Sequence, residues 1–346
     1  MKLYGEYEKQ KATILLFPER QDVWRKSCEP IRKMIVDLAN IICEYQPVIL
    51  GVLPRLRTYL EKNYNLKDKV KVMECLYNDC WARDTISSVV SGKDPYIASF
   101  EFNAYGGKLY SPWDDDNALD YKVAELFGYK IMKNGITLEG GNMLPDGQGT
   151  LFLVKDSVIN DDRNPGLTQQ EIEDKIKSST GTKKIIWIKR GLAGDETEGH
   201  IDNILAFADS KTLLMSWTDD INNPHYARVR EIEKNIRCAT NVFGEKYQIV
   251  HLPIPGYYFR SENDSDGIIS ADSSFPRLKG DVVLETYINF VLINGAVIVP
   301  QFRIKEDEDA IRVLKEVFKD RDIIPFYSRE ATLGGGGLHC LSKHIN

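Results

Sequence analysis

Cys340 closes the stretch "GGGGLHC" (334–340), six residues before the chain ends. A cysteine is a strong nucleophile only as its thiolate, so a catalytic thiol needs a cation or a base nearby. Four consecutive glycines are costly in a helix or strand. Before a nucleophile they let backbone and ligand approach closely, which makes Gly337 a candidate contact. The alternative is a structural thiol beside a mobile tail. A phosphate loop would carry Lys-Ser/Thr after the glycines, and none follows. A zinc site made of His339, Cys340 and His344 has irregular spacing, with no second Cys or His pair nearby in sequence.

His200 is the natural partner for such a thiol. It lies in "GDETEGHIDNI" (194–204), where Asp195, Glu196, Glu198 and Asp202 surround one of only five histidines in the chain. If "HIDNILAF" is a strand, the two-residue spacing puts His200 and Asp202 on one face. A carboxylate there can hold the imidazole or bind a cation beside it. The competing reading is a solvated acidic loop. "NDCWARD" (78–84) places Asp79 and Asp84 around Trp81 and Arg83, a setting for a flat delocalised cation such as guanidinium, or for an internal Arg83–Asp ion pair. In "TLEGGNMLPDGQGT" (137–150), Glu139 with Gly140 and Gly141 suits a pocket wall, and "DGQG" suits a hairpin turn. One thiol, one histidine and several acids suit covalent chemistry on a cation, because a guanidinium taken from water needs carboxylates to replace its hydration.

Something must position these groups. Apolar runs rich in β-branched residues alternate with amphipathic stretches: strands at 12–17, 47–53, 151–154, 184–188, 212–217, 247–252, 295–300 and 322–326, and helices at 30–45, 117–127, 168–178, 225–238 and 306–319. Ile31, Met34, Ile35, Leu38, Ile41 and Ile42 share one face of the first helix, and "TQQE" (168–171) is a capping box for the third. The alternation predicts an α/β protein, either a doubly wound sheet or a radial array of α/β units. With 346 residues, 42% of them hydrophobic, the chain can bury a substantial core. A net charge of −6 argues against nucleic acid as a partner. The six cysteines form no CxxC pair. No signal peptide or membrane-length apolar run is present. The expectation is a soluble, cytoplasmic protein with reduced thiols and no membrane partner.

The motifs "GEYEKQ", "WARD", "FNAYGG", "YSPWDDD", "EGGN…DGQGT", "RNP", "GHIDN", "YINFVLINGAVIVPQF" and "GGGGLHC", in this order from about residue 5 to 343, resemble the agmatine deiminases. These belong to the bacterial-type peptidyl-arginine deiminase family of the guanidine-modifying (pentein) superfamily. The resemblance implies a single domain over 1–346. Its fold would be a five-fold pseudosymmetric α/β propeller, with five ββαβ-type units around a central active-site channel. It implies Cys340 as nucleophile, His200 as general acid/base, and Asp84, Glu139 and Asp202 as the carboxylates for the guanidinium. Agmatine would give N-carbamoylputrescine and ammonia through an S-alkylthiouronium on Cys340, with no metal or organic cofactor, in a homo-oligomer such as a dimer. Departures fall at Glu198, where Asn is usual, at Tyr105, where Trp is common, and at "TISSVV" after "WARD", where a Gly-Pro is usual. Glu198 would favour a second cationic group on the substrate, and Trp81 and Glu196 are further candidates for its far end. The neighbouring possibilities are a deiminase of peptidyl-arginine or of another guanidino amine, an amidinotransferase, and a non-catalytic polyamine binder.

Overall fold

The apolar run "ATILL" buries all five of its residues as strand β1 (Ala12–Leu16). Continuous burial of this kind belongs to strands covered on both faces. Helix α1 (Glu29–Ile42) lies against it through Ile31, Met34, Ile35, Leu38 and Ile42, and then the chain returns as β2 (Val48–Val52), parallel to β1, and β3 (Val70–Glu74). Ile41 stays half-buried at the edge of that face. These positions come from a computed structural model that describes residues 1–346.

The same grammar recurs along the chain. It runs through β4 (Ser88–Ser91), β5 (Tyr96–Glu101), α2 (Leu119–Phe127) and β6 (Lys130–Thr137). Next come β7 (Leu144–Pro145), β8 (Thr150–Val154), α3 (Gln169–Thr180) and β9 (Lys184–Ile188). They are followed by β10 (Leu205–Phe207), β11 (Thr212–Trp217), α4 (Tyr226–Cys238) and β12 (Gln248–Pro253). The last set is β13 (Val291–Ile293), β14 (Ala296–Gln301), α5 (Glu306–Val317) and β15 (Asp322–Tyr327), after which β16 (Ser342–Ile345) ends the chain. In each of these four sets a short strand pairs antiparallel with a central strand. The central strand pairs in parallel with a third, reached through a helix as a parallel connection requires. The first set acquires its antiparallel strand from the other end of the molecule, since β16 pairs with β1 through Ser342–Leu15 and Ile345–Ala12. The architecture is α/β, with five sheets of one pattern.

Local signals hold well. Thr168 accepts from the Glu171 N–H at 3.3 Å and donates its own N–H to Glu171 Oε2 at 2.8 Å, the expected capping box of α3. The "DGQG" turn joins β7 to β8, with Asp146 Oδ1 accepting from the Gln148 and Thr150 amides. The strand expected over "HIDNILAF" does not form before Leu205. Asp195 Oδ2 accepts from the His200 amide at 3.0 Å and from Asn203 Nδ2 at 2.9 Å, and these side-chain bonds curl 201–203 into a short 3₁₀ turn. A further departure is the strap between β12 and β13. Its two-stranded ribbon, Tyr258–Phe259 with Val282–Val283, lies outside the repeated pattern. The strap's backbone bonds to Gln21, Leu109 and Ser111.

The apolar core is divided into separate clusters that follow the sheets. Apart from them, a set of charged or ionisable side chains is also buried: Arg83, Asp84, Glu139, Arg163, His200, Asp202, His339 and Lys343. No helix is long and apolar enough to cross a membrane.

The strand borrowed from the chain end gives a direct test. Ile345 is fully buried in the largest cluster. Ile345→Ala is expected to cost about 2–5 kcal/mol in chemical denaturation. A loss below about 1 kcal/mol would mean that the terminal strand does not pack as described.

Candidate active site

The glycine run is not a free tail: it leaves a short helix through a turn at Gly334 and Gly335. A Cβ at Gly334 would lie 2.0 Å from the Trp24 ring, one at Gly336 2.6 Å from the Trp81 ring, and one at Gly337 2.2 Å from Asn289 Oδ1. Gly335 alone has a left-handed backbone, with φ +102°. Three of the four are therefore glycine because two tilted tryptophans (ring centroids 5.5 Å apart) and an asparagine press on the backbone, and at Gly335 the Glu196 carboxylate, 2.4 Å from an added Cβ, does the same. The run bends around the Cys340 thiol. Gly337 N–H and Asn289 Nδ2 each donate to Sγ at 3.4 Å, and Asp202 Oδ2 lies 3.6 Å away.

Cys340, His200, Asp84, Trp81, Tyr105, Glu196 and Gly334–Gly336 line one cavity. The acids meet the histidine at Gly141, where an added Cβ would lie 2.6 Å from His200 Nδ1, 2.7 Å from Asp84 Oδ1 and 3.1 Å from Asp202 Oδ2. His200 sits between carboxylates, with Nδ1 3.7 Å from Asp84 and Nε2 4.0 Å from Glu139 Oε2, both too long for hydrogen bonds. Asp84 is saturated differently: Oδ1 accepts from the Gly141 amide at 2.7 Å and Oδ2 from the Tyr105 hydroxyl at 2.9 Å. Glu139 gives one oxygen to Arg163 Nε at 2.6 Å, and Asp202 gives one to His339 Nδ1 at 2.8 Å. What remains is a set of buried polar atoms with no partner: Glu139 Oε2, His200 Nε2 and Asp202 Oδ1. Leaving a buried polar atom unpaired costs about 1–3 kcal/mol, so three in one place mark a site shaped for a ligand.

Electrostatics follow from this crowding. Burial pushes the Cys340 thiol well up, and Asp202 and Asp84 push it further, against the two donors from Gly337 and Asn289. The site without ligand holds a thiol. Burial pulls His200 down, but Asp84, Glu139 and Asp202 outweigh it and raise the imidazole above its ordinary value. Burial likewise raises Asp84, against the stabilising effect of His200. A cation placed among these carboxylates would reverse the balance on the thiol.

The sequence-based site is thus assembled in part. Cys340, His200, Asp84, Glu139 and Asp202 converge. Trp81 forms a wall, held by Nε1 donating to Asp79 at 3.2 Å. Glu196 reaches the cavity but is paired with Arg277 at 2.7 Å. Gly337 contacts the thiol and Asn289 and does not line the cavity. Glu198 is a correction: its carboxylate lies outside the cavity and is bonded by Arg163 at 2.7 Å and Lys108 at 2.5 Å, so its charge is not free for a second substrate cation. Arg83 also differs from expectation, pairing with Glu6 at 2.7 Å and with neither neighbouring aspartate. No group of three or more His, Cys, Asp and Glu side chains, His339, Cys340 and His344 included, is arranged as metal ligands. Sequence reasoning missed Asn289, Arg163, His339 and Tyr105 as site residues. Each lies inside a motif that had been singled out, but nothing in its spacing distinguishes it.

Gly141 tests the geometry. Gly141→Ala is expected to leave the fold standing and to lower activity at least ~100-fold, because a methyl group would displace His200 and Asp84 from each other. Steady-state kinetics with a melting curve would check it, and near-normal turnover in a well-folded variant would contradict the arrangement.

Comparison with known proteins identifies the family. The family model for Porphyromonas-type peptidyl-arginine deiminase matches residues 2–345. An agmatine deiminase of Stutzerimonas stutzeri is 32% identical, over 98% of this chain and 94% of that one. Among solved structures, the agmatine deiminase of Enterococcus faecalis superposes with TM-score 0.94 at 27% identity, covering 99% of this chain and 95% of that one. A cysteine-to-serine variant of C. jejuni agmatine deiminase with substrate bound superposes with TM-score 0.85 at 26% identity, covering 99% and 96%. The chain belongs to the Porphyromonas-type peptidyl-arginine deiminase family.

Proposed function

We propose that this protein is an agmatine deiminase, hydrolysing agmatine to N-carbamoylputrescine and ammonia. The observation that carries the reading is the trio of unpartnered atoms, Glu139 Oε2, His200 Nε2 and Asp202 Oδ1, in a buried acidic site beside Cys340. A guanidinium offers five N–H donors in a plane, and carboxylates are its natural acceptors. The relatives named agmatine deiminase support the choice of substrate.

The chemistry follows from the charges. The bound guanidinium offsets Asp84 and Asp202, so Cys340 loses its proton to solvent more easily and the thiolate attacks the guanidinium carbon. Protonated His200 gives its proton to the departing nitrogen and ammonia leaves, with an S-alkylthiouronium remaining on Cys340. Neutral His200 then takes a proton from water as its oxygen attacks the same carbon. Collapse breaks the C–S bond, the Cys340 sulfur takes up the proton left on the new oxygen, and the neutral ureido product remains. Gly337 N–H and Asn289 Nδ2 hold the sulfur through both steps. Glu196 and Trp81 would contact the far end of the substrate. We also read residues 1–346 as one domain, its five like-patterned sheets closing as a pseudosymmetric propeller around the site. The β16–β1 pairing of the two chain ends supports this closure.

One observation favours a second reading, deimination of another guanidino compound. Arg277 already occupies Glu196, so an amine at the far end must share that carboxylate. Ammonia release from agmatine, arginine and an arginyl peptide, measured side by side, separates the readings. Agmatine is expected to be preferred, and Cys340→Ala to lower turnover by at least ~1,000-fold, with His200→Asn losing about 100–10,000-fold. An active Cys340→Ala variant would remove the mechanism, and preference for another guanidine would move only the substrate.

The pH profile is a separate test. Since His200 is raised from 6.5 and must be protonated to release ammonia, kcat/KM should fall on the alkaline side above the ordinary histidine range. Asp84, raised from 3.8, must be ionised, so the acid limb should lie above the ordinary aspartate range. An alkaline limb at or below about pH 6.5 would contradict the assignment of His200.

A further inference from the structure

His339 touches no part of the cavity that holds the thiol, yet it is tied to the carboxylate beside it. Its Nδ1 lies 2.8 Å from Asp202 Oδ2, the oxygen that also faces Cys340 Sγ, and its Nε2 lies 2.9 Å from Glu6 Oε2. A neutral imidazole has one N–H donor and one lone pair. With a carboxylate at each nitrogen, only the imidazolium donates in both directions. The ring is fixed as well as charged, because its backbone N–H donates to Asn289 Oδ1 at 2.9 Å.

We propose that His339 is a permanent imidazolium that positions Asp202 and offsets its charge beside the thiol, making thiolate formation at Cys340 easier. His339 is a positioning residue, and the inference rests on Cys340 being the nucleophile. Outward from the thiol the charges alternate: Asp202 negative, His339 positive, Glu6 negative, Arg83 positive at 2.7 Å from Glu6. The groups facing His339 are these three and His344, whose Nδ1 lies 2.7 Å from Glu6 Oε1. Burial pushes His344 down to about 4, so it is neutral and leaves the cationic role to His339 and Arg83. Burial and Arg83 pull His339 down, but Glu6 and Asp202 prevail and raise it. Asp202 and His339 line a second cavity together with Glu6, Arg83 and His344. The arrangement leaves Asp202 Oδ1 without a partner on the protein.

The test labels Cys340 with iodoacetamide in the full chain from pH 6.5 to 9.5, following the Cys340 peptide by mass, beside ammonia release from agmatine. His339→Asn puts an uncharged donor near the Nδ1 position, and His339→Lys keeps a cation between the two carboxylates. The labelling rate of His339→Asn is expected to fall about tenfold, one pKa unit of thiol. Its kcat/KM should fall at least as far, its melting temperature should also fall because two buried carboxylates lose their cation, and His339→Lys should recover part of all three, with rates measured well below each variant's melting transition. Unchanged labelling in a folded His339→Asn protein, or equal labelling in the two variants, would overturn the proposal. Should His339→Lys fail to fold, the labelling of His339→Asn decides alone. If the parent releases no ammonia from agmatine, the function reading fails while labelling still decides the role of His339.

Discussion

Arg163 Nε lies 2.6 Å from Glu139 Oε1, with neither side chain exposed to solvent, and the site depends on that contact. Its guanidinium makes three bonds in three directions: to Glu139, just before the short 3₁₀ turn at 140–142, to Glu198, and to the Thr197 carbonyl at 2.9 Å. One residue of the "RNP" loop thus clamps the Glu139 wall to the 195–203 segment that carries His200 and Asp202. The planar, permanently charged fork makes this possible, and a lysine would offer neither the geometry nor the reach. Because Arg163 takes one oxygen of Glu139, the other is left facing His200. Glu198, unusual in carrying a left-handed backbone at φ +70°, is the surface end of the same clamp.

Buried charges are expensive unless paired, and breaking one pair costs more than the pair contributes. The centre of this molecule meets that cost by giving each site carboxylate part of a partner. Asp84 has the Gly141 amide and Tyr105, Glu139 has Arg163, and Asp202 has His339. Only one oxygen each of Glu139 and Asp202 is left free. The protein therefore holds its acids ionised and oriented without filling the place where a cation would sit. In the proposed reaction the substrate cation supplies the missing positive charge, which couples recognition to activation of the thiol.

Much of the framework was legible because burial on both faces writes itself as continuous β-branched runs, and α1, α3, α4 and α5 show apolar residues at helical spacing. The turn at 201–203 was not legible. "HIDNILAF" has strand composition, and only Asp195, six residues before Ile201, explains why it curls. Among site residues, Cys340, His200, Asp84, Glu139 and Asp202 could be picked out because a nucleophile, a base and acids are recognisable by type. Asn289 could not, since it sits in an apolar run whose evident purpose is β13 and β14, and its bond to the thiol spans 51 positions. Glu198 was misjudged for a related reason. Sequence shows a charge near the site but not the two cations, 35 and 90 positions away, that take it.

The same logic explains the position of the glycines. In the proposed reaction Cys340 sits sheltered at a cavity wall, where two donors reach its sulfur and Trp81 lies alongside. With any side chain at 336 or 337, Trp81 or Asn289 would have to withdraw, and the sulfur would lose its wall or a donor. Burial alone would leave an inert thiol, as it does at Cys28, where it pushes the group up to about 12. Cys340 lies beside a carboxylate as well, which by itself makes matters worse. A thiol placed there becomes useful only where a cation is certain to arrive. An acidic cavity admits such a cation and disfavours an anion, so in the proposed reaction the feature that suppresses the free nucleophile also selects its substrate.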